Sequence, residues 1–115
     1  MDLIEGFNNL DSKILSNNDK IILLYFGAVW CNPCQELKQK LIDEQENLPY
    51  MKVLYCDCDC EDNQEILNKY NVKVLPTQIF IHLENNNIVR DEKIEGYDWI
   101  KLKMTYDSLL SNRNF

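Results

Sequence analysis

The spacing of apolar positions along the chain predicts nine regular elements. The apolar run 21–26 is long enough for one strand buried on both faces, and we expect this strand over 20–26. Apolar residues at helical spacing predict helices over 8–15, 33–46, 62–70 and 98–110. Shorter apolar or alternating segments predict strands over 3–4, 52–60, 77–83 and 88–95, the last two joined by a turn at 85–87.

The order of these elements predicts an α/β fold. Strands and helices alternate through the first half of the chain, which indicates parallel strands joined by right-handed crossovers. The second half contains an antiparallel hairpin followed by a helix. We therefore expect a central mixed β-sheet, parallel in its N-terminal half and antiparallel in its C-terminal hairpin, flanked by helices on both faces. Without an internal repeat or a linker, the 115 residues are expected to form a single domain, 1–115.

The segment Trp30-Cys31-Asn32-Pro33-Cys34 places two cysteines where a buried strand meets a helix. Unpaired backbone N–H groups and the helix macrodipole stabilise a thiolate at a helix start, which makes it a nucleophile near neutral pH. Pro33 suits the first helical turn because proline has no N–H to lose. The two intervening residues bring Cys34 near enough to Cys31 to close a disulfide. This segment predicts a redox-active dithiol.

Charge and composition narrow the class of protein. Nineteen acidic and twelve basic residues give a net charge of −7, which argues against a nucleic-acid partner. Residues 1–6 lack the basic start and apolar core of a signal peptide, and no apolar run reaches the length of a membrane span. Five cysteines, an odd number, fit poorly with a secreted disulfide framework. We expect a cytoplasmic monomer that binds no membrane.

A Cys-x-x-Cys pair can also form half of a zinc site, which requires a second pair of ligands. The other thiols recur at every second position of the strand 52–60, so they share one face and are expected to fill the core: Cys56, Cys58 and Cys60. His82 is expected at the surface or half-buried, with no acid close in sequence. The redox dithiol is therefore favoured, and no metal is expected.

The chain resembles the thioredoxin family over nearly its whole length. The resemblance depends on the Cys31–Cys34 motif with its preceding tryptophan, on the turn Leu75-Pro76-Thr77, which is similar to the family's cis-proline loop, and on Gly96 after the last strand. It implies the thioredoxin fold and a dithiol that reduces protein disulfides without a bound cofactor. It also implies re-reduction by a separate flavoprotein, a thioredoxin reductase that draws on NADPH.

The resemblance further implies the role of each site residue. Cys31 would be the attacking thiol and Cys34 the resolving thiol. A cis Pro76 would pack against the pair, and the backbone of Leu75 would pair with the substrate chain. Trp30 and Gly96 would complete the substrate-binding surface, with the Trp30 indole held by Asp59 or Glu61. The substrates would be disulfides of other proteins, such as peroxiredoxins or reductases.

The chain departs from the family at two positions near the dithiol. Thioredoxins have a buried aspartate six residues before the first cysteine, whereas this chain has Tyr25, a poor base because a tyrosine pKa lies near about 10. Asn32 replaces the usual glycine before Pro33. Tyr25, Asn32 and the adjacent Pro33 are expected to modulate the site. Tyr25 also leaves open an alternative function, a redox-slow protein-binding module that uses the groove between Trp30 and Pro76.

Overall fold

The structure is a computed structural model that describes residues 1–113. The strands are β1 (Asp2–Ile4), β2 (Ile21–Gly27), β3 (Met51–Asp57), β4 (Thr77–Glu84) and β5 (Asn87–Glu95). The helices are α1 (Gly6–Ser16), α2 (Asn32–Asp43), α3 (Gln64–Lys69) and α4 (Trp99–Asn112), with single 3-10 turns at Gln45–Asn47 and Glu61–Asn63. The order of strands and helices is the one expected from the sequence.

One five-stranded sheet with the order β1-β3-β2-β4-β5 forms the centre of the molecule. β2 runs parallel to β3 and antiparallel to β4, and β1 and β5 form the two edges. All seven residues of β2 are buried, which confirms the strand expected to be covered on both faces. The mixed sheet of the prediction is confirmed as well.

Helices cover both faces of the sheet and create two apolar cores. Alternate residues of β2 point to opposite faces. Ile22, Leu24 and Phe26 pack into a cluster with residues of α1 and α3, whereas Ile21, Leu23 and Tyr25 pack into a second cluster with residues of α2 and α4. No helix within residues 1–113 combines the length and apolar character needed to cross a bilayer.

The turn between β4 and β5 is tighter than expected. Glu84 pairs with Asn87, so only Asn85 and Asn86 form the turn. Their φ angles, 53° and 66°, are both positive, as a two-residue hairpin turn of this hand requires, and asparagine tolerates this conformation.

A bulge in β5 gives His82 an acidic partner that the sequence analysis missed. The pairing shifts between Phe80 and Ile81, which leaves Asp91 as the extra residue on β5. The carboxylate of Asp91 lies 2.9 Å from Nδ1 of His82 and accepts a 2.7 Å hydrogen bond from Arg113 at the end of α4. The half-buried position of His82 is confirmed, but the expectation that no acid lies close to it in sequence was wrong, because a carboxylate oxygen of Glu84 lies 3.4 Å from its Nε2.

β3 ends earlier than predicted, and this corrects the expected placement of two cysteines. The last pairs are Ile4 with Cys56 and Gly27 with Asp57, because β1 and β2 end there. The backbone then turns, with Cys60 N–H donating to the Asp57 carbonyl oxygen over 3.2 Å. Cys56 is buried in the core as expected, whereas Cys58 and Cys60 are half-buried outside the strand. The prediction that all three thiols fill the core is therefore wrong for Cys58 and Cys60.

The side chain of Asn63 ties this turn to the start of the chain. It is fully buried, accepts a 2.9 Å hydrogen bond from the Gly6 N–H and donates to the carbonyl oxygens of Ile4 (3.0 Å) and Asp57 (3.2 Å). One amide group therefore satisfies three backbone groups at the ends of β1 and β3 and at the start of α1.

We predict that Asn63→Ala lowers the free energy of unfolding by about 3 kcal/mol, because it leaves several buried backbone groups without a partner. Equilibrium unfolding in urea measures this loss. The matched control is Asn68→Ala on exposed α3 surface, expected to change stability by less than about 0.5 kcal/mol. Equal effects of the two substitutions would contradict this account of Asn63.

Candidate active site

The two cysteines of the predicted dithiol form a disulfide at the start of α2. A turn after β2 is closed by Cys31 N–H, which donates to the Ala28 carbonyl oxygen over 3.2 Å. Cys31 is the N-cap of α2, and its sulfur accepts from the Cys34 N–H over 3.3 Å. The two Cα atoms lie 5.2 Å apart, within the ordinary range for a disulfide. The predicted pairing of these cysteines at a helix start is confirmed.

Burial distinguishes the two sulfurs. Cys31 retains 7% of its accessible surface, whereas Cys34 retains none. A substrate disulfide approaching from solvent therefore meets Cys31 first. The N–H groups at the helix start favour the thiolate of Cys31 once the disulfide is reduced. Asn32 and Pro33 form the exposed first turn of the helix between the two cysteines.

The loop before β4 lies beside the disulfide. The Leu75–Pro76 peptide bond is cis, as the resemblance implied. Leu75 packs against the small cluster formed by Ala28, Cys31 and Cys34, which we call the disulfide cluster. Gly96, directly after β5, donates its N–H to the Pro76 carbonyl oxygen over 2.8 Å and has φ +86°, a conformation that favours glycine.

Trp30 forms an exposed apolar surface next to Cys31. It is 66% exposed, and its indole N–H donates to a carboxylate oxygen of Asp59 over 2.8 Å. Of the two acceptors considered, the structure selects Asp59. Further exposed apolar side chains adjoin the site residues in sequence: Val29, Val74 and Tyr97.

Tyr25 lies beneath the disulfide, where it cannot act as a base. Its side chain is buried, and its hydroxyl donates to the backbone carbonyl oxygen of Cys34. Burial raises the pKa of Tyr25 well above its ordinary value. The Tyr25 ring lies 5.2 Å from the ring of Tyr55, and burial together with the charge of Asp57 raises the pKa of Tyr55 to about 12. Neither phenol is ionised near neutral pH.

Sequence reasoning missed Tyr55, Gly27 and Cys58 as parts of the site. Tyr55 is the register partner of Tyr25 on β3, a pairing that only the sheet reveals. A Cβ atom on Gly27 would lie 3.2 Å from the Tyr25 ring and 3.3 Å from both Cys34 Cβ and the Tyr55 ring. Glycine therefore makes room for two rings next to the inner cysteine. Cys58 packs against the disulfide cluster.

The zinc alternative requires a second set of ligands beside the Cys-x-x-Cys pair. Within the described part of the chain, three potential donor side chains have ligand atoms within 4.8 Å of one another: Asp57, Cys58 and Asp59. This group includes neither Cys31 nor Cys34, which are bonded to each other. The arrangement therefore does not resemble the four-ligand zinc site that the alternative supposed.

A disulfide with one accessible and one shielded sulfur can accept two electrons from thiols and pass two electrons on as a dithiol. Thiol–disulfide exchange runs through the outer sulfur, and the inner thiol closes the ring again. Such a disulfide reacts through protein groups alone, and here it lies next to a cis proline. These features define the class of thiol–disulfide oxidoreductases.

Comparisons with known proteins agree with this class. The thioredoxin family profile matches residues 6–104, and the chain belongs to the thioredoxin family. Thioredoxin 3 of Plasmodium falciparum (isolate 3D7) is 30% identical over 93 residues, which cover 81% of this chain and 50% of that protein. The chain thus spans about half the length of that relative.

Two further relatives match over nearly their full length. The thioredoxin of Pongo abelii is 27% identical over 107 residues, which cover 93% of this chain and 96% of that protein. The solved structure of Trichomonas vaginalis thioredoxin superposes with a TM-score of 0.84 at 25% identity, covering 95% of this chain and 96% of that one. The similarity to these thioredoxins therefore includes both the parallel and the antiparallel half of the sheet.

We predict that Tyr25→Phe lowers the free energy of unfolding of the oxidised protein near neutral pH by about 1 kcal/mol, because it removes the hydroxyl that donates to Cys34. The pKa of Tyr25 is higher in the folded than in the unfolded state. The stability that protonated Tyr25 contributes to the folded protein is therefore fully present below about pH 10 and is lost as the pH rises above that value. Urea unfolding across this range should show a shallower alkaline decline for Tyr25→Phe.

The matched control is Tyr97→Phe, which alters an exposed phenol. It should leave both the neutral stability and the alkaline decline as in the parent protein. A Tyr25→Phe curve that runs parallel to the parent curve at high pH would contradict a raised pKa for Tyr25.

Proposed function

We propose that this protein reduces disulfide bonds of other proteins by exchange at Cys31 and Cys34. The observation that supports this most directly is the unequal burial of the two joined sulfurs at the start of α2. The outer sulfur is accessible to a partner, and the inner sulfur is protected from one. The redox-slow binding module is not favoured, because a binding surface alone does not require a closed disulfide in this position.

The reaction proceeds in two exchanges. The Cys31 thiolate attacks one sulfur of the substrate disulfide; a Cys31–substrate mixed disulfide forms, and the second substrate sulfur leaves as a thiolate. Cys34 then loses its proton and attacks the Cys31 sulfur. The Cys31–Cys34 disulfide forms, and the remaining substrate sulfur leaves and is protonated. The substrate gains the two electrons that the dithiol loses.

The surroundings of the disulfide suit an extended protein segment. The side chain of Leu75 packs against the disulfide cluster, and its backbone is proposed to pair with the substrate chain. Trp30 would cover one side of that segment, and the region of Pro76 and Gly96 the other. We propose peroxiredoxins and reductases as substrates of this type.

The oxidised protein needs a source of electrons for each cycle. We propose a separate flavoprotein reductase that uses NADPH, acting on the same exposed sulfur of Cys31. A cytoplasmic location and a monomeric state are part of the proposal, and the odd number of cysteines supports a reducing compartment. In that setting the protein serves electron transport and redox balance.

We predict that Cys34→Ser forms mixed disulfides with partner proteins that outlast those of the parent protein, because the first exchange proceeds and the second lacks its main nucleophile. Cys31→Ser should form none, and Cys60→Ser, a matched thiol removal away from the disulfide cluster, should reduce a protein disulfide like the parent. Non-reducing electrophoresis with peptide mapping measures the adducts. Absence of adducts through Cys31 would contradict the proposed function and favour a binding role.

We predict that the resolving step has no built-in base. Its rate should rise about tenfold per pH unit below the pKa of an ordinary thiol, in proportion to the thiolate fraction. Tyr25→Phe should leave this profile unchanged, because the Tyr25 hydroxyl is a donor to the backbone. Tyr25→Asp should raise the neutral rate about tenfold or more, since a carboxylate can accept the proton. Rapid-mixing kinetics measures the step, and a slower step at neutral pH in Tyr25→Phe would identify Tyr25 as the base.

A further inference from the structure

Cys58 is a third thiol next to the redox disulfide. Its side chain packs against the disulfide cluster of Ala28, Cys31 and Cys34 and is half-buried, so part of it is exposed to solvent. Its N–H donates to the Gly27 carbonyl oxygen over 2.9 Å, at the point where β2 leads into the active turn. The family reaction described above makes no use of this thiol.

The turn that holds Cys58 is anchored from several sides. The side-chain amide of Gln64 donates to the carbonyl oxygens of Cys58 (2.7 Å) and Cys60 (3.0 Å). The Asp59 N–H donates to the carboxylate of Asp57 over 2.9 Å. These hydrogen bonds therefore hold Cys58 against the disulfide cluster.

A carboxylate links Cys58 to the substrate-binding surface. One oxygen of Asp59 lies 4.0 Å from the Cys58 sulfur, and the other accepts from the Trp30 indole. Burial, followed by the charges of Asp59 and Asp57, raises the pKa of Cys58. The thiol is therefore mainly protonated at neutral pH, and its reactivity increases as the pH rises.

The other two free cysteines lack this placement. Cys56 belongs to the core on the side of α1 and α3, where burial raises its pKa to about 12. Cys60 follows the turn and is not part of the disulfide cluster or of the residues packed on it. Among the free thiols, Cys58 is the one that packs against the disulfide cluster.

We propose that Cys58 is a second resolving thiol, which attacks the Cys31 sulfur in the mixed disulfide and releases the substrate. The inference rests on the proposed function. In this step the Cys58–Cys31 bond forms, the bond between Cys31 and substrate breaks, and the proton of Cys58 passes through solvent to the departing substrate thiolate. Cys34 then attacks Cys31, so that the Cys31–Cys34 disulfide forms and Cys58 returns to the thiol. No further oxidant or reductant is required.

This route compensates for the environment of Cys34. Cys34 is fully buried and its neighbour Tyr25 cannot accept a proton, whereas Cys58 is only half-buried. A substrate held on Cys31 therefore has a second way to leave when the first is slow.

The test uses a mixed disulfide between Cys31 and thionitrobenzoate in the Cys34→Ser protein, formed with one equivalent of the aromatic disulfide reagent and located by peptide mapping. We expect release of the coloured thiol at a rate independent of protein concentration and increasing with pH. A peptide in which Cys31 is linked to Cys58 should accumulate in step with it.

Adding Cys58→Ser or the similarly sized Cys58→Val should slow release at least about tenfold, as expected for loss of an intramolecular nucleophile. Adding Cys60→Ser, the matched control, should leave the rate unchanged. Equal release rates in all these proteins, or absence of the linked peptide, would overturn the role of Cys58 while leaving the Cys31 exchange intact. Failure of Cys31 to take the label at all would overturn the proposed function and this inference together.

Discussion

Burial of β2 on both faces is the constraint on which the redox site depends. The strand pairs with β3 and β4, and side chains from two helical layers cover it. A shift of one residue would exchange the two buried faces, so the register is strongly determined. This register sets where β2 ends, at Gly27, and the turn that follows places Cys31 beyond that end of the strand. β4 begins there too, since Phe26 pairs with Thr77, which explains why the cis-proline loop meets the disulfide.

The inner side of the site is neutral. Two neighbouring tyrosines, with their rings tilted by 33°, occupy the space next to Cys34, where the family has a buried acid, and a carboxylate there would have to be desolvated. The Tyr25 hydroxyl satisfies its hydrogen-bonding need at the backbone of Cys34. The same arrangement removes the base that would take the proton from the resolving thiol. The uncharged packing around Cys34 therefore affects the resolving step, for which we have proposed Cys58 as a second thiol.

The turn after β3 connects the redox centre with the rest of the fold. Asn63 links it to the end of β1 and to the start of α1, and the side-chain amide of Gln64 donates to its carbonyl oxygens. Asp59 of the same turn orients Trp30. The position of the proposed substrate-binding surface therefore depends on a polar network around the 3-10 turn Glu61–Asn63 as well as on the apolar cores.

Local patterns in the sequence determined the central strand, the order of elements and the pairing of Cys31 with Cys34, because periodicity and a four-residue motif depend on neighbours in the chain. Tertiary structure decided the rest. β3 stops at Asp57 because its partner strands stop, which moves Cys58 from the expected core to the redox centre. Tyr55 joins Tyr25 through sheet register, and a bulge aims Asp91 at His82. Such contacts join residues far apart in sequence, and only the packed fold specifies them.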